Sequence, residues 1–362
     1  MENTRQRASE KAKLVLQDGT VYEGESFGFL GSTAGEVVFN TGMTGYPESL
    51  TDPSYKGQIL TLTFPLIGNY GVPVEKKNIL ISKNFESKAI QVSGLIITDY
   101  SQEYSHWNSG RSLSQWLQQN KIPALYGIDT RALTKKLREK GTMLGKIEFN
   151  NDRTDFYDPN LDNLVESVSI AKPVQYGNGK IKIVLLDCGC KSHIIHDLIT
   201  RGVKVLRVPW NYDLSRIDFD ALVVSNGPGD PKMCRQSILQ IRDTIMRNKP
   251  VFGICLGHQL MALAIGANTY KLKYGHRSQN QPVIEVGTNR CLITSQNHGY
   301  AVNNNTLPED WEPWFLNLND NTNEGIRHIS GRYRSVQFHP EASPGPVDSG
   351  FLFDEFLKIV CT

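Results

Sequence analysis

The chain has 362 residues, 39% of them hydrophobic, and sets 39 Lys and Arg against 37 Asp and Glu for a formal net charge of +2. That length exceeds one average domain and predicts two, each with a core of its own. The near-neutral balance removes any electrostatic reason to expect nucleic acid or a membrane surface as partner, and six irregularly spaced cysteines in so long a chain fit a reducing compartment rather than a disulfide framework.

The chain opens on a polar stretch with no apolar run of the signal-peptide kind, and Glu2 and Glu10 argue against a mitochondrial transit peptide. No later run approaches the roughly 20 apolar residues of a membrane-spanning helix, so a cytoplasmic protein is expected. From Ala12 to Phe149, short apolar runs such as Lys13–Leu16 and Gly57–Phe64 alternate with Gly, Pro, Asp and Asn punctuation, which predicts strands. Within this half, Leu113–Gln119 and Thr130–Lys140 have helical character; the second opens on the capping signal Asp129-Thr130 and closes on basic residues before Gly141. The first domain, residues 12–150, is therefore expected to be α+β. Residues 151–180 are polar with little periodicity and form the expected linker.

Beyond it the grammar changes. Ile181–Leu186 is a continuous apolar strand, Ser192–Thr200 is helical and Val203–Val208 is again a strand, which makes a βαβ unit. Ala221–Ser225, the helical Ser237–Met246, the strand Val251–Cys255 and the helical Leu256–Ala264 continue the alternation. The second domain, residues 181–362, is thus expected to be a doubly wound α/β fold with a mostly parallel sheet.

The strongest local signal is Val251-Phe252-Gly253-Ile254-Cys255-Leu256-Gly257-His258-Gln259, an apolar strand entering a helix through Gly-x-Cys-x-Gly. Flanking glycines permit a sharp strand-to-helix turn that presents Cys255 at the carboxyl edge of the sheet, where the N–H groups of a helix start favour a thiolate. A free cysteine is as often a small buried core residue. The balance shifts with Ser335-Val336-Gln337-Phe338-His339-Pro340-Glu341, because two residues apart on an extended segment share a face. His339 is then placed as general base and acid for the sulfur, with Glu341 orienting the imidazole. Asn226-Gly227-Pro228-Gly229-Asp230-Pro231 follows the strand Ala221–Ser225 and lies at the same sheet edge, so the N–H of Leu256 with that of Gly227 or Gly229 forms the expected oxyanion hole.

Four motifs in this order along the chain, Ser225–Pro231, Gly253–Gln259, Gln296-Asn297-His298-Gly299-Tyr300 and Gln337–Glu341, resemble those of the class I glutamine amidotransferases. Gly35–Glu48 and Leu50-Thr51-Asp52-Pro53-Ser54-Tyr55, extended by Gly57–Leu60, Gly68–Gly71, Gly127–Arg131 and Gly141–Lys146, resemble the carbamoyl-phosphate synthetase small chain, and the likeness covers nearly all of the chain after residue 12. It is closest to the eukaryotic branch, in which this unit often begins a pyrimidine-synthesis multienzyme.

The resemblance implies a glutaminase that hydrolyses glutamine through a Cys255 thioester and passes ammonia through an internal tunnel to a synthetase subunit or fused domain. That partner makes carbamoyl phosphate from bicarbonate and ATP, for pyrimidine biosynthesis or alternatively arginine biosynthesis. No Gly-x-x-x-x-Gly-Lys-Ser/Thr loop is present, so no cofactor is expected in this chain, and ATP and Mg belong to the partner. Carried over residue by residue, the glutamine pocket involves Ser54, Gly227, Gly229, Leu256, Gln259, Asn297, Gly299 and Tyr300, with the Gln259 amide toward the α-amino and carboxylate end and Ser54 reaching in from the N-terminal domain. Tyr300 stands where the family often has Phe. Ammonia-dependent relatives carry Ser at the position of Cys255, so the intact Cys255, His339 and Glu341 imply a working glutaminase.

Cys188-Gly189-Cys190, near His193 and His196, lacks the second spaced pair of a zinc site, and no metal is expected. Lys191 opens a helix, where it either positions the pocket or a partner or is simply solvated. Two rival readings are a noncatalytic docking subunit, which the intact triad opposes, and a stand-alone γ-glutamyl hydrolase, which the N-terminal domain and Ser54 oppose.

Overall fold

The computed structural model describes residues 10–75, 80–149 and 152–362. Residues 1–9, which carry most of the opening stretch read for targeting signals, and the junction at 150–151 lie outside the described residues. The described parts of Met1–Met43, Gly57–Lys76 and Val92–Pro159 pack as one compact unit, and those of Thr44–Lys56, Lys77–Gln91 and Asn160–Thr362 as another.

In the first unit β1 (Lys11–Leu16), β2 (Val21–Ser26), β3 (Thr33–Asn40), β4 (Gln58–Leu62), β5 (Gly94–Ile96), β6 (Ala124–Tyr126) and β7 (Met143–Phe149) close into a barrel in the order β1-β7-β3-β4-β5-β6-β2. Closure follows from alternation. In β1, Ala12, Leu14 and Leu16 are buried while Lys11 and Lys13 face water, so the apolar set of one face fills the interior and no strand edge is left unpaired. The two helices lie where the sequence predicts. At Leu113–Gln119, Ser112 and Gln115 form a reciprocal capping box, and at Thr130–Lys140 the Asp129 carboxylate accepts from Ala132 N–H while Leu133 and Leu137 are buried.

The second unit is built on a ten-stranded sheet. Its strands are β8 (Val174–Tyr176), β9 (Lys182–Asp187), β10 (Lys204–Pro209), β11 (Ala221–Val224), β12 (Val251–Ile254), β13 (Thr269–Glu285), β14 (Cys291–Val302), β15 (Trp311–Asn317), β16 (Asn323–His328) and β17 (Tyr333–Val336), in the order β8-β10-β9-β11-β12-β17-β16-β15-β13-β14. β10, β9, β11, β12 and β17 run parallel, and the flanking strands pair antiparallel.

Period-two alternation sorts the central strands onto two faces. Ile183, Leu185, Val223, Phe252 and Ile254 join one core with α1 (Ser192–Thr200) and a C-terminal helix, Phe351–Val360. Val184, Leu186, Leu222, Val224 and Val251 join the other with α2 (Arg235–Met246) and α3 (Leu256–Ala264). A sheet covered on both faces explains why these strands are apolar at every position.

Two stretches differ from the sequence reading. Residues 160–180, taken as linker, carry the helix Leu164–Val168 and the edge strand β8, and Val165 and Tyr176 are buried in the two cores. Residues 44–56, which hold Ser54, pack with the second unit although they lie in the N-terminal half, and so do the described residues of 77–91. Sequence order hides this, because both segments leave the barrel and return to it.

Candidate active site

The parallel strands deliver their chemistry at one edge. β9 ends before Cys188–Lys191, β11 before Ser225–Pro231, β12 before Cys255 and β17 before Gln337–Glu341, so all four following segments lie at the carboxyl edge of the sheet.

Cys255 sits between β12 and α3 at φ 54° and ψ −104°, a positive φ that a side chain rarely adopts. Such a conformation costs on the order of 1–3 kcal/mol and persists only where its surroundings impose it. They do so through close backbone approach: a Cβ on Gly253 would lie 2.6 Å from Gly257 O, and one on Gly257 would lie 2.2 Å from Val224 O. The two glycines of the motif are therefore required by contact, and Cys255 between them is 2% exposed, with its sulfur 3.7 Å from Asn297 O.

His339 and Glu341 meet, though not on an extended segment: β17 ends at Val336, and a turn in which Ala342 N–H donates to His339 O at 3.1 Å brings them together. His339 Nδ1 lies 2.7 Å from Glu341 Oε1, and both side chains are buried. Lys191 completes the group: its Nζ is 3.0 Å from Glu341 Oε1 and donates to Ala342 O at 2.7 Å. Burial, the largest influence on His339, opposes its charge, yet Glu341 and the nearby Cys255 sulfur outweigh burial and the Lys191 charge and raise its pKa from 6.5 to about 10. The sulfur acts through proximity, since His339 Nε2 has no partner of standard hydrogen-bond geometry among the described residues. Burial likewise opposes the charge of Glu341, but Lys191 and His339 hold it down from 4.5 to about 2. At neutral pH the site thus holds an imidazolium, a carboxylate and an ammonium away from water.

These shifts fix the pH dependence of stability. The Glu341 contribution is complete above 4.5 and is lost as pH falls toward 2, whereas that of His339 is complete below 6.5 and is lost as pH rises toward 10. Thermal melts are therefore expected to show Tm falling from pH 6.5 to 9, and Glu341→Gln to flatten that slope. An unchanged slope in the variant would show that the imidazolium is not held by Glu341.

Of the expected oxyanion donors, Leu256 and Gly227 lie on neighbouring segments. Leu256 N–H is at the first position of α3, where no intrahelical acceptor exists. A Cβ on Gly227 would fall 2.0 Å from Cys188 O and 2.8 Å from the Leu256 side chain, so the loop after β11 lies against the elbow. Gly229, at φ 85°, packs next to Leu164.

The remaining residues expected in the pocket are joined by a buried polar network. Asp52 Oδ1 accepts from Ser54 N–H at 2.9 Å, and its Oδ2 accepts from Asn297 Nδ2 at 2.9 Å. Asn226 Nδ2 donates to Ser54 Oγ at 2.9 Å, and Asn226 Oδ1 accepts from Lys191 N–H at 3.0 Å. One aspartate therefore links the Ser54 segment, the loop after β11 and β14. Gly299 lies on β14 in the irregular stretch opposite Lys271 to His276, and Tyr300 O accepts from Gln259 Nε2 at 2.9 Å while its hydroxyl donates to Asn160 Oδ1 at 3.3 Å. Gln259 Nε2 also donates to Gln337 Oε1 at 3.0 Å, so any donation from this amide to substrate competes with two internal bonds.

Sequence reasoning passed over Asp52 and Asn226 as side chains and left Lys191 open. Asp52-Pro53-Ser54 does carry a readable capping signal, which the Ser54 N–H bond fulfils. His258 is fully buried, bonds Ser335 Oγ at 2.9 Å and is driven by burial down to about 3, so it is a neutral packing residue.

Among the described residues, His276, His298 and Glu324 bring potential metal-ligand atoms within 4.8 Å of one another. His276 is 2.9 Å from Asp320 and 3.4 Å from Glu324, and both ring nitrogens of His298 face oxygens, Tyr300 O and Gln296 Oε1. His276 therefore sits between the buried Glu324 and the exposed Asp320 carboxylates, while burial drives the His298 pKa down. No helix among the described residues is long and apolar enough to cross a membrane.

Residues 14–147 match the family model of the carbamoyl-phosphate synthase small chain, CPSase domain, and residues 184–359 match that of class-I glutamine amidotransferase. The chain is 46% identical to the carbamoyl phosphate synthase arginine-specific small chain of Aspergillus oryzae, with 98% of this chain and 81% of that one covered. It is 53% identical to the multifunctional protein CAD of Squalus acanthias, covering 96% of this chain and 16% of that one. To the mitochondrial carbamoyl-phosphate synthase (ammonia) of Homo sapiens it is 49% identical, covering 97% of this chain, and it spans only 24% of that relative's length. The matches run through both halves, so the chain belongs to the carbamoyl-phosphate synthase small-chain family, with a class I glutamine amidotransferase domain as its second part.

Proposed function

We propose that this chain is the glutaminase component of a glutamine-dependent carbamoyl-phosphate synthase. The observation that carries the reading is the elbow cysteine, Cys255, in one buried site with the His339–Glu341 pair joined at 2.7 Å. The Cys255 sulfur attacks the side-chain amide carbon of glutamine, and the tetrahedral oxyanion is met by Leu256 N–H with Gly227 or Gly229 N–H. His339 holds the thiol proton and delivers it to the departing ammonia, leaving a γ-glutamyl thioester. Neutral His339 then takes a proton from water as that water attacks the thioester, and collapse releases glutamate and restores the sulfur. Glu341 keeps Nδ1 protonated throughout, so Nε2 is the nitrogen that exchanges the proton.

Ser54, Asn297, Gly299 and Tyr300 shape the glutamine pocket, chiefly through backbone groups, and Gln259 supports it by holding Tyr300 O. The Aspergillus oryzae relative is named an arginine-specific small chain and the Squalus acanthias relative a multifunctional protein. By analogy, this chain delivers ammonia to a synthetase large subunit or fused domain that holds ATP and Mg, in the cytoplasm, for pyrimidine or arginine biosynthesis. Cys255 favours glutamine over free ammonia as the nitrogen source.

The test is glutamate release from glutamine by the purified chain, with and without a carbamoyl-phosphate synthetase large subunit supplied with ATP and bicarbonate. Release that rises with the partner is the expected result. No release under either condition would leave a docking subunit as the better reading.

A further inference from the structure

Helix α1 begins without a cap of its own. Lys191 occupies the N-cap position and makes no side-chain bond to the first turn. The orphan donors are met by a residue far upstream: Ser192 N–H donates to Glu86 O at 2.9 Å, and His193 N–H donates to Glu86 Oε2 at 3.2 Å. Ser192 Oγ also donates to Glu86 O at 3.1 Å, and His193 Nδ1 lies 2.7 Å from Glu86 Oε1. Glu86 is fully buried and is itself fixed, since its N–H donates to Thr51 Oγ1 at 2.9 Å in the segment that carries Asp52 and Ser54.

Capping alone needs no charge, because serine or asparagine meets the same donors. A carboxylate buried this completely is costly unless counter-charges face it. Burial is the largest influence on Glu86 and opposes its ionisation, but Lys191 and His193 prevail and keep it below the ordinary carboxyl range. Lys191 in turn is held charged, against burial, by Glu341, Glu86 and Asp52.

We propose, resting on the glutaminase reading above, that Glu86 is a positioning residue: by capping α1 from outside the helix it fixes Lys191, the group that holds the His339 orienter. Two paths run through it. Mechanically, the cap sets where α1 starts and hence where Lys191 leaves the backbone. Electrostatically, Glu86 balances part of the Lys191 charge, so Glu341 keeps more of its field for His339. The charged and titratable groups facing this cluster include Lys191, His193, Glu341, His339, Asp52, Asp197, Cys190 and Glu48, the last raised by burial and by Glu86 itself. Without the Glu86 charge, more of the Lys191 charge falls on Glu341 and His339, which makes the His339 proton easier to lose.

Glu86→Gln keeps the shape and an acceptor for His193 N–H while removing the charge. In the full chain it is expected to lower kcat for glutamate release about tenfold with KM within about twofold. The pH profile of Cys255 alkylation by iodoacetamide moves to lower pH. In a Lys191→Met background the same change has no further effect on either readout, because Glu86 acts through Lys191. Wild-type kcat with an unmoved alkylation profile would overturn the proposal, as would a loss that adds in full to that of Lys191→Met, or a lowered Tm with both readouts intact.

Should Glu86→Gln not fold, Glu86→Asp retains the charge but draws it back by one methylene, and about a threefold kcat loss with the same non-additivity is expected; wild-type values there overturn it equally. Alkylation needs no glutamine. A wild-type chain that releases no glutamate would therefore defeat the glutaminase reading while the profile still decides on Glu86.

Discussion

Cys255→Ser is expected to cut glutamate release by at least about 10⁴-fold, the range in which loss of a triad member falls. The substitution is nearly isosteric, and the elbow imposed by Gly253 and Gly257 stays intact because those contacts are between backbones. What changes is the match between nucleophile and base. Glu341 still raises the His339 pKa when the sulfur's share of that rise is gone, so the imidazole favours its protonated form and is a poor acceptor for the proton of a serine hydroxyl. A thiol, far more acidic than an alcohol, tolerates such a partner. The pocket groups outside the elbow are untouched, so the variant still binds glutamine, and calorimetry beside the glutamate assay separates lost chemistry from lost binding. Glutamate release within tenfold of wild type would show that Cys255 is not the nucleophile.

The elements that fixed this expectation were legible because their signals are local. Gly-x-Cys-x-Gly after an apolar strand encodes its own turn, and His339 and Glu341 are two residues apart, near enough for a local turn to bring them together. The alternation of β9 to β12 with α1, α2 and α3 was equally readable, since a sheet covered on both faces leaves its strands apolar throughout. The closed barrel and the antiparallel extension β13 to β16 were not, because closure and pairing order depend on partners far apart in sequence. Asp52, Glu86 and the role of Lys191 were hidden for the same reason. Each is a polar residue in a segment that looks solvated on its own, and each is buried only because residues 44–56 and the described part of 77–91 pack with the second unit. The polar stretch 160–180 failed as a linker on similar grounds: a short helix and an edge strand need few apolar residues, and Val165 and Tyr176 suffice.

Lys191→Met carries the second large expected effect, and it tests the network that local signals missed. Lys191 is 3% exposed and holds Glu341 at 3.0 Å. Methionine fills similar volume without charge, leaving Glu341, Glu86 and Asp52 buried with their shared cation gone. Breaking a buried pair from one side costs about 3–5 kcal/mol, so a drop in Tm of several degrees is expected. Activity falls through a different route. Lys191 is the first influence after burial that keeps Glu341 ionised, and without it the carboxyl takes up a proton at higher pH and ceases to stabilise the His339 imidazolium. The acid limb of the kcat profile should therefore move to higher pH, and kcat at neutral pH should fall by about 10- to 100-fold, less than the roughly 10⁴-fold that removing a triad carboxylate outright can cost. Lys191→Arg keeps the charge and should recover the acid limb, though not all of the Tm, since a planar guanidinium cannot reproduce the bond to Ala342 O and the pair with Glu341 in the same space. A Met variant with an unmoved acid limb and a lowered Tm would assign Lys191 to packing alone and would remove the electrostatic link from Glu86 and Asp52 through Lys191 to Glu341 and His339.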